Sequence, residues 1–114
     1  QFRRNVRAII DAFHKRGTRV VVALLDDQSK RPVAIEGKAF TGISKSELVR
    51  MSHQVKVYNT ILREEAKRAN CGIADFSSTS LFTDRATLSD DGNHPNARAY
   101  DRIADIWWAA LQKK

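Results

Sequence analysis

Asp91 and His94, three residues apart, are the side chains of this sequence whose types and spacing could do chemistry. A carboxylate that close can accept the Nδ1 proton of the imidazole where the chain folds back, which leaves Nε2 free to take a proton from a hydroxyl group. Gly92 permits a tight turn, and Pro95 stiffens the exit from it. The segment predicts a catalytic acid–base pair. The alternative is a polar turn in which Asp91 only caps the following helix.

The other polar residues are weaker candidates. Asp90 is the wrong distance from His94, since the three-residue spacing favours Asp91. His14 and His53 lie on predicted helices near basic residues, and neither forms a His-x-x-x-His or His-Glu pair, so we expect surface side chains and no metal site. No cofactor is predicted. Ser77, Ser78 and Ser80 lack a Gly-x-Ser-x-Gly context, so we expect them to be loop residues and not nucleophiles. We expect Cys71 to be a small buried residue.

Helices and strands alternate around these residues. The hydrophobic pattern predicts a helix over residues 2–16 that ends at Gly17, a strand over 18–25, and a loop over 28–43. A long helix capped by Ser44 or Ser46 follows and runs to Asn70, then a strand over 72–76 and a polar loop over 77–93. The last helix is predicted to begin around Pro95, with its apolar face formed by Tyr100, Ile103, Ala104, Trp107 and Leu111.

This order predicts an α/β fold, a three-layer α/β/α sandwich with a parallel sheet, because both predicted strands are continuous apolar runs that need cover on two faces. The pair would lie at the carboxyl end of the second strand, where such sheets bind ligands. Two strands are too few for a stable sheet. Gln1 is also not a residue before which an initiator methionine is normally removed. We therefore expect residues 1–114 to be the C-terminal half of one domain whose N-terminal half lies upstream or on another chain.

Composition narrows the class of protein. A hydrophobic content of 42% and a charged content of 29% are ordinary for a folded domain, and no apolar run is long enough to span a bilayer. The net charge of +7 raises the possibility of nucleic-acid binding, but the basic residues are dispersed and no nucleic-acid-binding motif is present, so a solvated surface is expected. The single cysteine excludes an internal disulfide and leaves the compartment open, with a slight preference for a secreted or periplasmic bacterial protein.

The segment around the pair resembles the last signature block of the SGNH (GDSL) hydrolases, whose pattern is Asp-x-x-His-Pro-Asn followed by a Tyr and an Ile-Ala helix. The matching residues are Asp91, His94, Pro95, Asn96, Tyr100, Ile103 and Ala104. The remaining elements look like the C-terminal half of that flavodoxin-like fold. The resemblance implies hydrolysis of a carboxylic ester, a lipid, an acetylated sugar or a small acyl ester, by a Ser-His-Asp triad with His94 as base and Asp91 as its partner.

The resemblance also shows what the sequence lacks. The family's nucleophile lies in a Gly-Asp-Ser block and its oxyanion hole in two further blocks, and none of these motifs occurs here. The serine would come from the missing half, and this chain alone is expected to be inactive. Phe40 and Ile43, in the loop after the first strand, are candidates for lining a substrate pocket. Two alternatives stay open: a non-catalytic binding or scaffold module that has lost the nucleophile, and a basic nucleic-acid-binding domain.

Overall fold

Helix α1 (Phe2–His14) begins the computed structural model, which describes residues 1–39 and 41–113. Gly17 ends the helix in the left-handed conformation, at φ +72°. The amides of Gly17 and Thr18 donate to the carbonyls of His14 and Phe13, a pattern that satisfies the last carbonyls of a helix. The predicted end at Gly17 is therefore confirmed, although regular helix stops two residues short of residue 16.

The sheet consists of two parallel strands, β1 (Val21–Leu24) and β2 (Gly72–Asp75), with Val21 opposite Gly72 and Leu24 opposite Asp75. Helix α3 (Lys45–Arg68) connects them. Each strand is shorter than predicted because regular pairing covers only four residues on each side. The parallel arrangement agrees with the prediction.

Apolar side chains contact helices on both faces of this sheet. On one face, Val22 packs with Ile10 of α1 and Ala66 of α3. On the other face, Ala74 packs with Ala110 of α4 (Ala97–Gln112). In the described residues the fold is thus a mixed α/β structure with four helices and a small two-stranded parallel sheet. A full three-layer sandwich would need more strands than these.

Helix α3 begins where the sequence predicts. Of the two candidate caps, Ser44 is the N-cap: its hydroxyl accepts the amide of Glu47 at 3.2 Å. The Glu47 carboxylate accepts the Ser44 amide at 2.7 Å in return. This reciprocal capping box satisfies two amides that have no partner within the helix.

Helix α4 begins two residues later than predicted, because Pro95 forms an antiparallel bridge with Leu88 and Asn96 is the N-cap. Its packing stripe agrees with the predicted face only in part, at Ile103 and at Trp107, whose ring contacts that of Phe76. The residues that contact the sheet or are buried are Ala99, Ile103, Ile106 and Ala110, while Tyr100 is 57% exposed. A Cβ on Gly72 would lie 2.7 Å from the Ala110 carbonyl oxygen, so α4 and β2 meet backbone to backbone. Tyr100, Trp108 and Leu111 are left exposed on the sides of the helix that do not meet the sheet.

The segment predicted as a loop over residues 28–43 contains regular structure. A 3₁₀ turn covers Gln28–Lys30, and the short helix α2 covers Pro32–Ile35. Asp27 caps the turn by accepting the amide of Ser29, and Pro32 occupies the first helical position, where its fixed φ is favourable. The prediction of a loop was wrong there because these elements are too short to show a hydrophobic period. None of the helices in the described residues is long and apolar enough to cross a membrane.

Candidate active site

The candidate site is the turn between Leu88 and Pro95, which closes on itself through backbone hydrogen bonds. The amide of Ser89 donates to the His94 carbonyl at 2.8 Å, and the amide of Gly92 donates to the Ser89 carbonyl at 3.0 Å. Gly92 adopts φ +66°, a conformation that side chains with a Cβ disfavour. The turn therefore holds Asp91 and His94 on one rigid loop immediately before α4.

The two oxygens of the Asp91 carboxylate have different partners. Oδ1 accepts the amides of Asn93 and His94, at 2.8 and 2.9 Å, and the Ser89 hydroxyl at 3.1 Å. Oδ2 lies 2.5 Å from Nδ1 of His94. One oxygen thus stabilises the turn, as in the purely structural interpretation of the sequence, and the other is paired with the imidazole.

These contacts indicate which atom of the Asp91–His94 hydrogen bond carries the proton. The hydrogen bond from the His94 ring, followed by those from the amides of His94 and Asn93, holds the pKa of Asp91 well below its usual range. An ionised carboxylate can only accept, so the proton of this bond belongs to Nδ1 of the ring. In the neutral imidazole the free lone pair is then on Nε2, which is the arrangement a general base needs.

The pair is open to the surroundings. The side chain of His94 is 70% exposed and that of Asp91 is 47% exposed. Across residues 1–39 and 41–113, no side chain hydrogen-bonds to Nε2 of His94. A hydroxyl group brought to Nε2 from outside the turn would find an oriented base, while the described residues themselves place no nucleophile there.

The turn rests on the segment that follows β1. The amide of Val33, in α2, donates to the Gly92 carbonyl at 3.1 Å. Gly92 lies against the same helix, since a Cβ at this position would be 3.2 Å from Cβ of Pro32. Helix α2 therefore supports the turn directly, a contact that the sequence did not predict.

Arg31 makes a second connection between the turn and the sheet. Its Nε and Nη2 donate to the two oxygens of Asp26, both at 2.8 Å, and its Nη1 donates to the Asn93 side-chain oxygen at 2.9 Å. The guanidinium also lies 4.5 Å from the centre of the Phe82 ring. Asp26 is the second residue after the end of β1, so the turn is tied to the carboxyl end of that strand. Sequence reasoning missed Arg31, because nothing in its spacing distinguishes it from the other dispersed arginines.

The other candidate site residues that the sequence singled out make no hydrogen bond or ion pair with the turn in the described part of the chain. Ile43 is half-buried just before the α3 N-cap, and no hydrogen bond or ion pair of the described residues joins residues 41–43 to the turn. Phe40 lies outside the described residues. The Ser77 hydroxyl donates to Asp75 at 2.5 Å. His53 is exposed on α3, and Nε2 of His14 lies 4.0 Å from the sulfur of Cys71, whose pKa is raised by burial.

Two further observations bear on function. Within the residues the structure describes, no three His, Cys, Asp or Glu side chains come together as a metal site. No protein-family model, curated protein or solved structure matches the chain.

Proposed function

We propose that this chain supplies the histidine and aspartate of a Ser-His-Asp triad in a carboxylic-ester hydrolase of the SGNH type. The observation that carries the proposal is the 2.5 Å contact between Oδ2 of Asp91 and Nδ1 of His94, with Nε2 left available. The signature-like sequence from Asp91 to Ala104 supports it independently. Neither a polar cap nor a surface histidine requires both features together.

In the proposed reaction a serine from another segment attacks the carbonyl carbon of the ester. His94 takes the serine proton on Nε2, and the Asp91 carboxylate stabilises the imidazolium that forms. The same proton passes to the departing alkoxide, which leaves as the alcohol. Water then attacks the acyl-serine and gives one proton to Nε2. His94 passes that proton to the departing serine oxygen, which releases the acid and restores the serine and the neutral histidine.

The proposal requires a second segment, and the edge of β1 is where we infer that it binds. The carbonyls of Val20 and Leu24 accept the amides of Gly72 and Phe76, at the start of β2 and just after its end. The alternate residues Val21 and Ala23 therefore direct their backbone groups to the other edge. Leu25, next along that edge, has both backbone groups bound by the side chain of Asn59, at 2.7 and 2.8 Å. A strand of the completing segment, pairing with Val21 and Ala23, would extend the sheet towards the three-layer sandwich.

Exposed apolar side chains on the flanking helices favour the same interpretation. Ile9 and Phe13 on α1 are 58% and 49% exposed, and Trp108 on α4 is 64% exposed. Large apolar groups at such exposure on both sides of a two-stranded sheet are expected where further strands would cover them.

The test assays the protein together with the segment that carries its serine against short-chain aryl esters. His94→Ala should lower kcat by about 10⁵-fold or more, because no other group would accept the serine proton. A fluorophosphonate probe should label one serine in the wild-type protein and label it far more slowly in His94→Ala.

His53→Ala is the matched control, since His53 is an exposed histidine on α3. It should leave both the hydrolysis rate and the labelling unchanged. Full ester hydrolysis in the His94→Ala protein would contradict the proposal. No hydrolysis and no labelling in the wild-type protein would favour the non-catalytic scaffold instead.

A further inference from the structure

The Arg31 side chain is one of the least exposed charged groups near the turn, at 14%, and its partner Asp26 is 15% exposed. A charged pair with this little solvent is strongly held only when its geometry is good and the remaining donors are satisfied. Both conditions are met, because Nε and Nη2 each bind one oxygen of Asp26 and Nη1 binds Asn93. The same nitrogen lies 3.4 Å from the Asn93 carbonyl oxygen.

These contacts connect three segments that are distant in sequence. Arg31 and Asp26 follow β1, Phe82 lies in the segment after β2, and Asn93 is the residue immediately before His94. The ring of His94 is bound only by Asp91 within its own turn, in the described part of the chain. The direction in which Nε2 points relative to the sheet is therefore set by how the turn is attached, and Arg31 is one of those attachments.

We propose that Arg31 is a positioning residue, which fixes the His94 turn on the carboxyl end of β1 so that Nε2 meets a serine supplied from elsewhere. This inference rests on the proposed function. A general base must come within about 2.6–3.2 Å of the proton it takes, so a shift of the whole turn would disable the pair while leaving the Asp91–His94 bond intact. Lysine cannot replace arginine here, because it lacks the planar fork that binds Asp26 at two points and the flat surface that lies over Phe82.

The test compares Arg31→Lys with Arg50→Lys in the intact protein. Arg50 is the matched control, since its side chain is 77% exposed and its nearest carboxylate is 3.9 Å away. In Arg31→Lys, kcat should fall about 10- to 100-fold with KM changed less than about twofold, the effect of a small misplacement of a reacting group. The Asp91–His94 hydrogen bond should persist, because both residues lie within the turn, and the proton on Nδ1 should therefore keep its downfield chemical shift in the NMR spectrum.

Hydrogen exchange of the Val33 amide gives a readout independent of hydrolysis. That amide donates to the Gly92 carbonyl, so its exchange should quicken by about tenfold or more when the turn detaches from α2. If the wild-type protein hydrolyses no ester, the proposed function fails, and the Val33 exchange rate still decides whether Arg31 holds the turn. Exchange and kcat in Arg31→Lys equal to those in Arg50→Lys would overturn the inference.

Asn93→Ala provides a second variant in case Arg31→Lys does not fold. It removes the side-chain acceptor on the turn and leaves the Arg31–Asp26 pair in place. A smaller change in the same direction, in both kcat and Val33 exchange, would support the inference. An Asn93→Ala protein with wild-type values, beside an unfolded Arg31→Lys protein, would make Arg31 a residue of the fold alone and overturn it.

Discussion

Nδ1 of His94 and Oδ2 of Asp91 lie 2.5 Å apart, while Oδ1 of the same carboxylate accepts the backbone amide of His94 at 2.9 Å. The aspartate thus holds both the ring and the backbone of one residue. The contact with the amide fixes the backbone of His94, and the contact with Nδ1 fixes the rotation of its ring. Together they orient Nε2 relative to the turn, while the attachments of the turn orient it relative to the sheet.

Replacing Asp91 by asparagine should separate its two roles. The asparagine oxygen can still accept the amides of Asn93 and His94, so the turn should persist. Its amide group would donate to Nδ1 and force the ring proton onto Nε2, which should lower kcat by about 10⁴-fold. The measurement is kcat in the completed enzyme, with the ring tautomer read from the nitrogen chemical shifts of His94.

Asp90→Asn is the control for this substitution, since it removes the same charge from the neighbouring residue. We expect wild-type kcat and an unchanged tautomer. A comparable loss of activity in both variants would show that only net charge matters, and would contradict the assignment of Asp91.

Gly92→Ala should lower activity as well as stability, because the added Cβ would crowd α2 in addition to straining the backbone. At φ +66° an added Cβ costs about 1–2 kcal/mol, and here it would also lie 3.3 Å from the Val33 amide nitrogen. Gly37→Ala carries a similar conformational cost, at φ +68°, with nothing within 4 Å of the new Cβ. Both variants should lose stability in denaturant unfolding, and only Gly92→Ala should also lose activity. Equal kcat in the two variants would argue against the contact with α2 as a determinant of the site.

The features that could be predicted from the sequence are those formed by residues close together in the chain. Gly17 ends α1, Ser44 and Glu47 form the cap of α3, and Asp91 reaches His94, and in each case the partners are within a few residues of one another. Such contacts follow from residue type and spacing alone. The parallel pairing of β1 with β2 follows as well, because a long helix lies between two continuous apolar runs.

Contacts between distant residues are what the sequence could not predict. Arg31 and Asn93 are 62 positions apart, and no periodicity connects them. The packing face of α4 depends on the backbone contact between Ala110 and Gly72, which a pattern of large apolar residues does not reveal. Helix α2 is a single turn, too short for a hydrophobic period, although it supports the candidate site.

Asn96 joins the site to α4, and substitutions should separate the contributions of its side-chain oxygen and nitrogen to the stability of the protein. Its oxygen accepts the amide of Ala99 as the N-cap, at 3.1 Å, and its nitrogen donates to the carbonyls of Ala86 and Leu88. Asn96→Ala should cost about 1–2 kcal/mol in unfolding free energy, the usual effect of losing such a cap. Asn96→Asp keeps the cap and loses the two donated bonds, so its stability should be intermediate. An Asn96→Asp protein less stable than Asn96→Ala would contradict this division.

Glu65 should make the fold sensitive to acid. The carboxylate is 1% exposed on α3 and accepts hydrogen bonds from three arginines, Arg7, Arg68 and Arg3. The bonds from Arg7 and then Arg68 lower its pKa from an ordinary 4.5 to about 2. Between those values the unfolded chain binds a proton that the folded chain does not, so the stabilisation is complete above about pH 5 and is lost as the pH falls towards 2.

Thermal unfolding at pH 7 and at pH 3, compared between Glu65→Gln and Glu64→Gln, checks this expectation. Glu65→Gln leaves the three arginines without their shared carboxylate, so it should melt several degrees lower at pH 7 and lose less on acidification than the wild-type protein does. Glu64 pairs with Arg3 and its side chain is 55% exposed, so its removal should change little at either pH. If the wild-type and Glu65→Gln proteins lose the same stability between pH 7 and pH 3, the acid sensitivity has another source.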